Sequence, residues 1–226
     1  MGAGTRPAPT FRGCDFDGPY WSDVQADTGC QPDPFHLRDG DLTCAVSATG
    51  AGEYFIRLTQ RMINAMTAPT GEGRLYEIDM RLRPSGNAGP LAISLEAFTR
   101  YQLNSAWTWE HMALTRARVI HGPPELASRL EAAIREILTR PRDPDKVLRD
   151  VAEMRLRIEK EFGTTDIWEV KYIRGGTMDV EFIAQYLILR HASEHPEILS
   201  SDAAAALRAA AKAGLLDGGI ADDLCG

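Results

Sequence analysis

Charged side chains alternate along residues 74 to 86, RLYEIDMRLRPSG, in a pattern that could bind a metal ion and a phosphate chain. With a period of two, Glu77, Asp79, Arg81 and Arg83 share one face of a predicted strand, and apolar residues share the other. A carboxylate is a natural ligand for Mg²⁺, and arginine guanidiniums match phosphate oxygens two at a time. A strand with a solvated polar face has the same pattern, so spacing alone leaves both interpretations open.

A turn follows this predicted strand, with the sequence Pro-Ser-Gly-Asn-Ala-Gly. Such a turn supplies flexible backbone N–H groups beside the charged face, which makes Ser85 and Gly86 candidate phosphate contacts. An ordinary glycine-containing turn is the alternative interpretation.

Two further clusters lie on predicted helices. In AWTWEHMALTRARV, Arg116 and Arg118 follow two tryptophans, which favours a buried aromatic anchor with surface arginines. In RGGTMDVEF, a Gly-Gly pair enters a helix and places Asp179 in its first turn. Free N–H groups there could bind an anion, or Asp179 could simply stabilise the start of the helix.

A fourth cluster, GCDFDG, contains Asp15 and Asp17, which could share a metal ion if they lay on a strand. Gly and Pro follow at once, so local sequence favours a loop with acidic residues.

Hydrophobic periodicity predicts an α+β chain that is mostly helical. Residues 1–50 are rich in Gly, Pro, Asp and Thr and are expected to be irregular. The predicted strands cover 75–83 and 166–173, and the strand at 75–83 is expected to pack on the helix at 53–67. The predicted helices cover 53–67, 94–104, 105–120, 123–140, 143–162, 175–192 and 201–216, and another begins near the last residues.

Composition excludes several classes of protein. The chain has 226 residues, 44% hydrophobic and 25% charged, which is typical of one large or two small globular domains. A net charge of −7 argues against general nucleic-acid binding, and the lack of a long apolar run argues against a membrane span. The four cysteines form no C-x-x-C pair, so a structural zinc site is not expected and the cytoplasm is the expected location.

Three segments together resemble one known family. They are LYEIDMRLRPSGNAGPLAISLEAFTRYQ, AWTWEHMALTRARVIHG and VKYIRGGTMDVEFIAQYLILRHA, within residues 53 to 217. The amino-acid sequences of these segments, and their order along the chain, resemble those of the C-terminal, adenylylating half of bacterial glutamine synthetase adenylyltransferases. The resemblance implies that the chain is a fragment of a two-headed regulator whose other half removes AMP.

The resemblance also implies a fold and a site. It predicts a partial nucleotidyltransferase domain of the DNA polymerase beta type at residues 51–122 and a truncated helical domain at 123–226. In this family three carboxylates hold two Mg²⁺ ions, and Asp79 stands at the third position. Arg81 and Arg83 would then bind ATP phosphates or the acceptor. Asp15 and Asp17 either match the first two carboxylates in degraded form or belong to unrelated sequence.

The activity implied is transfer of AMP from ATP to a tyrosine of glutamine synthetase, expected to be impaired in this chain. The resemblance gives glutamine synthetase and the PII signal protein as partners, and Mg²⁺ and ATP as the metal and the nucleotide. The alternative is an inactive homologue that acts as a binding scaffold for glutamine synthetase or PII.

Overall fold

The computed structural model describes residues 50–74 and 76–226. The predicted irregular segment, together with Asp15 and Asp17, lies outside the described residues except for Gly50. The chain divides into two compact units, with the boundary between Ser94 and Leu95. The domain boundary predicted between residues 122 and 123 stays a prediction.

The described part of the first unit contains one long helix and one small hairpin. Helix α1 spans Ala51–Met66, and its Glu53 and Arg57 form an ion pair one turn apart at 2.5 Å. Strands β1 (Pro69–Thr70) and β2 (Gly73–Arg74) pair antiparallel, with Pro69 opposite Arg74. The Thr70 hydroxyl donates to the carbonyl of Gly73 at 2.7 Å and closes the turn. The helix predicted at 53–67 is therefore confirmed.

The strand predicted at 75–83 is wrong for the residues that the structure describes. Residues 76–80 have no regular secondary structure, and turns follow up to a short 3-10 helix at Gly86–Ala88. Tyr76 and Leu82 are 61% and 63% exposed, so the apolar side of the alternation does not form a core against α1. The backbone N–H of Arg81 donates to the Asp79 carboxylate at 2.8 Å. Such local bonds from side chain to backbone compete with the ladder of a sheet.

The second unit consists of helices. They are α2 (Leu95–Asn104), α3 (Thr108–Leu114), α4 (Pro124–Leu138), α5 (Pro144–Phe162), α6 (Thr177–His191), α7 (Ala203–Lys212) and α8 (Gly218–Cys225), with a 3-10 helix at Pro196–Ile198. The predicted helices are present, although α3 is shorter than the pattern suggests. The strand predicted at 166–173 is wrong, because those residues form turns apart from Asp166 and Glu169.

Helix starts follow the sequence closely. Pro124 and Pro144 occupy the first positions of α4 and α5, where a missing N–H costs little. Three aspartates cap helices by accepting backbone N–H groups: Asp143 for α5, Asp202 for α7 and Asp217 for α8.

Helix α6 is central to the second unit because it contributes to both hydrophobic clusters. One cluster joins Ala184, Leu187 and Ile188 of α6 to Ala206, Leu207 and Ala210 of α7. The other joins Leu189 of α6 to residues of α3, α4 and α5. The observed architecture is therefore mostly helical, with one two-stranded antiparallel sheet in the described part of the chain. Among these residues, no helix is both long and apolar enough to cross a membrane.

Candidate functional site

Asp79 and Arg81 form a forked ion pair on the surface of the first unit. The Nε of Arg81 lies 3.0 and 2.9 Å from the two carboxylate oxygens of Asp79, and its second terminal nitrogen lies 2.6 Å from Oδ2. These hydrogen bonds from Arg81 lower the pKa of Asp79 to about 2. Asp79 is therefore ionised at neutral pH, and both of its oxygens already accept a guanidinium.

Arg83 folds back onto the turn that follows. Its Nε donates to the carbonyl of Gly89 at 3.1 Å, and a terminal nitrogen donates to the carbonyl of Met80 at 2.6 Å. A Cβ at Gly89 would lie 2.1 Å from the carbonyl oxygen of Pro84, so the turn closes too tightly for any other residue. Arg83 thus braces this turn with part of its donor set.

Ser85 and Gly86 lie inside this braced turn in left-handed conformations, with φ of 61° and 52°. Backbone N–H groups converge on an anion in a nest when neighbouring residues alternate between right-handed and left-handed conformations, whereas Ser85 and Gly86 are both left-handed. Here the N–H of Gly86 donates to the carbonyl of Arg83 at 2.8 Å. An anion at this turn would therefore have to compete with that bond.

The described residues alone do not fit a Mg²⁺ site. Asp79 is engaged by Arg81, and no group of three His, Cys, Asp or Glu residues within 50–74 and 76–226 is arranged to hold a metal ion. Mg²⁺ needs near-octahedral oxygen ligands, and one paired carboxylate does not supply them. The meeting of Asp15 and Asp17 with Asp79 stays a prediction, because both lie outside the described residues.

A second polar centre stands at the entrance to α6. The carboxylate of Asp179 accepts a hydrogen bond from the Nε of Arg155 on α5. A terminal nitrogen of the same guanidinium donates a second hydrogen bond at 3.3 Å. It also accepts the backbone N–H of Gly175 at 2.6 Å. Together these donors, Arg155 first, hold the pKa of Asp179 below its usual value. The contacts match the electrostatic interpretation of Asp179 at a helix start.

Gly176, the second glycine of this entrance, is required by a close approach of the backbone. A Cβ there would lie 2.3 Å from the carbonyl oxygen of Val170 and 2.9 Å from that of Ile173. Gly176 therefore serves the packing of the 167–176 turn against the start of α6.

Arg116 pairs with Glu181, which joins the end of α3 to α6. Two of the segments that carry the family resemblance therefore meet in space. Sequence reasoning identified Arg116 and Asp179 but did not predict that they pair with Glu181 and Arg155. Helical spacing places Asp179 and Glu181 on their helix, but nothing in a single sequence indicates which distant arginine each one meets.

Glu110 is a buried carboxylate that fixes the corner between α2 and α3. It accepts the hydroxyl of Tyr101 at 2.8 Å and the backbone N–H of Trp107 at 2.9 Å. Next to it, Nε2 of His111 lies 2.9 Å from the carbonyl oxygen of Gln102, and burial lowers the pKa of His111. These contacts give Glu110 and His111 structural partners.

We expect Tyr101→Phe to lower the free energy of unfolding by about 1.5 kcal/mol, because a hydrogen bond to a buried charged group is lost. Urea unfolding followed by circular dichroism measures this change. Tyr172→Phe is the matched control, since its ring stacks on Phe162 and its hydroxyl has no hydrogen-bond partner among the described residues. Equal effects of the two substitutions would contradict a bracing role for Tyr101.

Comparison with protein families matches residues 35–133 to the family described as glutamate-ammonia ligase adenylyltransferase. The match includes the Asp79–Arg81 pair and the braced turn.

Curated relatives extend the similarity into the second unit. Three of them, from different bacteria, are bifunctional glutamine synthetase adenylyltransferase/adenylyl-removing enzymes. The chain is 57% identical over 164 residues to that of Rhodopseudomonas palustris (strain TIE-1), covering 73% of this chain and 17% of the relative. It is 54% identical over 182 residues to that of Bradyrhizobium diazoefficiens, covering 80% and 18%. It is 50% identical over 169 residues to that of Xanthobacter autotrophicus, covering 75% and 17%. The chain thus spans less than a fifth of the length of these relatives, and the resemblance in the sequence is confirmed.

Proposed function

The chain belongs to the glutamate-ammonia ligase adenylyltransferase family, and on that premise we propose that it contributes to transfer of AMP from ATP to a tyrosine of glutamine synthetase. The observation that carries the proposal is the Asp79–Arg81 pair, which lies inside the segment that matches the family. We assign the chain to the adenylylating half of the family enzymes because of the amino-acid sequence of the WTWEH segment.

The proposed nucleotide contacts are Arg81, Arg83, Ser85 and Gly86. Arg81 is largely exposed, so its guanidinium can reach a phosphate without crossing the protein. Its planar fork fits two phosphate oxygens as well as it fits the Asp79 carboxylate. Arg83 would act mainly by holding the turn that carries Ser85 and Gly86, since two backbone carbonyls already accept from it.

Asp79 is the proposed catalytic carboxylate. It is ionised at neutral pH, and its bonds to Arg81 fix its orientation. Mg²⁺ enters this proposal only together with Asp15 and Asp17, because the described residues do not form a metal site by themselves.

The proposed acceptor is glutamine synthetase, which the names of the curated relatives give as the protein on which they act. The PII signal protein is proposed as a further partner on the family resemblance alone. A cytoplasmic location agrees with a chain whose cysteines are few and widely spaced.

A second candidate function is a binding scaffold without turnover. The observation that favours it is that both carboxylate oxygens of Asp79 already accept hydrogen bonds from Arg81 within the described residues. On this alternative the helical unit binds glutamine synthetase and transfers nothing.

The test is incorporation of labelled AMP into purified glutamine synthetase by the chain, Asp79→Asn and Glu77→Gln. We expect slow labelling by the unchanged chain, because the described residues supply one of the three carboxylates that the family uses. Asp79→Asn should reduce labelling at least about a hundredfold, which corresponds to a loss of about 3 kcal/mol in the transition state. Glu77→Gln is the matched control and should leave the rate unchanged, since Glu77 is exposed on the same segment.

Labelling that survives Asp79→Asn would overturn the assignment of Asp79. If the unchanged chain gives no labelling but still sediments with glutamine synthetase, the scaffold is supported in place of the transferase.

A further inference from the structure

The Asp79–Arg81 ion pair joins a carboxylate that is anchored to the backbone and a guanidinium that is free to move. The carboxylate of Asp79 accepts the backbone N–H of Arg81 at 2.8 Å, a bond that does not depend on where the Arg81 side chain lies. The guanidinium donates to the same carboxylate, and its side chain is 75% exposed. Arg81 can therefore swing away from the pair while Asp79 stays in place.

In the structure the guanidinium covers both oxygens of Asp79. Nε of Arg81 lies 3.0 Å from Oδ1 and 2.9 Å from Oδ2, and a terminal nitrogen lies 2.6 Å from Oδ2. A carboxylate in a two-point contact of this kind must lose hydrogen bonds before it can bind a cation or accept a proton from another group. The pair thus blocks the carboxylate to which the proposed function assigns the chemistry.

Arg81 is also a proposed phosphate contact, so two anions compete for it. The edge formed by Nε and one terminal nitrogen matches two oxygens of a carboxylate or of a phosphate, and it serves one of them at a time. A triphosphate carries several negative charges, whereas Asp79 carries one. The triphosphate therefore attracts the guanidinium more strongly.

Exposure to water distinguishes this ion pair from a structural one. The side chains of Arg81 and Asp79 are 75% and 52% exposed, whereas those of Arg155 and Asp179 are 16% and 21% exposed. Breaking an exposed ion pair loses little stability, because water solvates both charges. The Asp79–Arg81 pair can therefore open without disturbing the fold around it.

We propose that the Asp79–Arg81 pair is an autoinhibitory contact that a triphosphate opens. Without the triphosphate, Arg81 covers Asp79. A bound phosphate chain draws the guanidinium away, so that both oxygens of Asp79 become available only while the phosphate chain is in place. The inference rests on the proposed function for the role of Asp79, but the exchange of Arg81 between the two anions is measured without glutamine synthetase and without a metal ion.

The first test is titration calorimetry of the chain with inorganic tripolyphosphate in metal-free buffer at low salt. Asp79→Asn removes the competing carboxylate, so we expect it to tighten binding about threefold to fivefold, the upper range for an exposed ion pair with two-point geometry. Glu77→Gln removes the same charge from an exposed position two residues away and should tighten binding less than about twofold. Equal effects of the two substitutions would overturn the proposal, and so would a chain that does not bind tripolyphosphate.

The second test follows the Nε–H signal of Arg81 by nuclear magnetic resonance as tripolyphosphate is added to the unchanged chain. We expect this signal to shift, whereas that of Arg155, which pairs with the shielded Asp179, should stay in place. An Arg81 signal that stays in place at saturating tripolyphosphate would show that phosphate binds without opening the pair, and would reject the proposal. A chain that shows the exchange but transfers no AMP would contradict the proposed function and still support the exchange.

Discussion

Leu207→Ala is expected to lower the free energy of unfolding of the second unit by about 3–4 kcal/mol, as for other large-to-small changes in packed cores. Leu207 is 0% exposed and is the one bulky apolar side chain of α7, whose sequence is AAAALRAAAK. It packs with Ile188 of α6 and Ile198 of the 3-10 helix. The neighbouring alanines have no side-chain freedom with which to fill the space, so the cavity would stay open.

Leu156→Ala is the matched control for this prediction. Leu156 lies on α5 and is 60% exposed, so the same change in chemistry should cost less than about 1 kcal/mol. Urea unfolding followed by circular dichroism gives both values. Similar losses at Leu207 and Leu156 would show that α7 does not share a core with α6.

The helices could be predicted from sequence because their signals are local. In α5, the Asp143 cap, Pro144 at the first position, and Val147 and Val151 one turn apart all lie within a few residues of one another. The periodicity, the cap and the proline each favour the same structure, and the structure follows them. The same reasoning identified α1, α4 and α6.

The segment around Asp79 could not be predicted in the same way. An alternating pattern needs a neighbouring strand to become a sheet, and the sequence does not reveal whether one is available. In the structure Asp79 bonds to Arg81 two residues later, and Arg83 bonds to backbone carbonyls of its own turn. The pattern identified side chains that lie close together but predicted the wrong secondary structure for their backbone.

Ion pairs between residues that are distant in sequence could not be predicted either. Arg155 and Asp179 are separated by 24 residues, and Arg116 and Glu181 by 65, counted from their positions in the sequence. Either acidic residue could have met any of several arginines. Only the packing of α5 and α3 against α6 selects the partners.

Removing the charge of Asp179 is the second change expected to have a large effect. Its side chain is 21% exposed and that of its partner Arg155 is 16% exposed, so the ion pair is largely shielded from water. Asp179→Ala would leave the Arg155 guanidinium without its acceptor, although one of its nitrogens is already buried without a partner among the described residues. The N–H of Gly175 would also lose its acceptor. We expect a loss of about 2–3 kcal/mol in the free energy of unfolding.

Two comparisons separate the ion pair from a general effect of losing a surface charge. Glu153→Ala on α5 is the control, because Glu153 is exposed and should change stability by less than about 0.5 kcal/mol. Arg155→Met combined with Asp179→Leu removes both charges and keeps apolar volume. The double variant should therefore lose less unfolding free energy than the sum of the losses of Arg155→Met alone and Asp179→Leu alone. Additive losses would show that the two side chains do not interact in solution.

The effect of Asp179 should also depend on pH, with a sign that follows from its lowered pKa. Because Arg155, and then Gly175, lower the pKa of the folded state below the ordinary 3.8, the carboxylate stabilises the folded chain fully at pH values above that ordinary value. The contribution is lost as the pH falls through the lower folded pKa. The difference in unfolding free energy between the unchanged chain and Asp179→Asn should therefore be constant from about pH 7 to 5 and shrink below about pH 4. Urea titrations at several pH values measure it, and a difference that grew on acidification would mean that the folded state raises the pKa of Asp179 instead of lowering it.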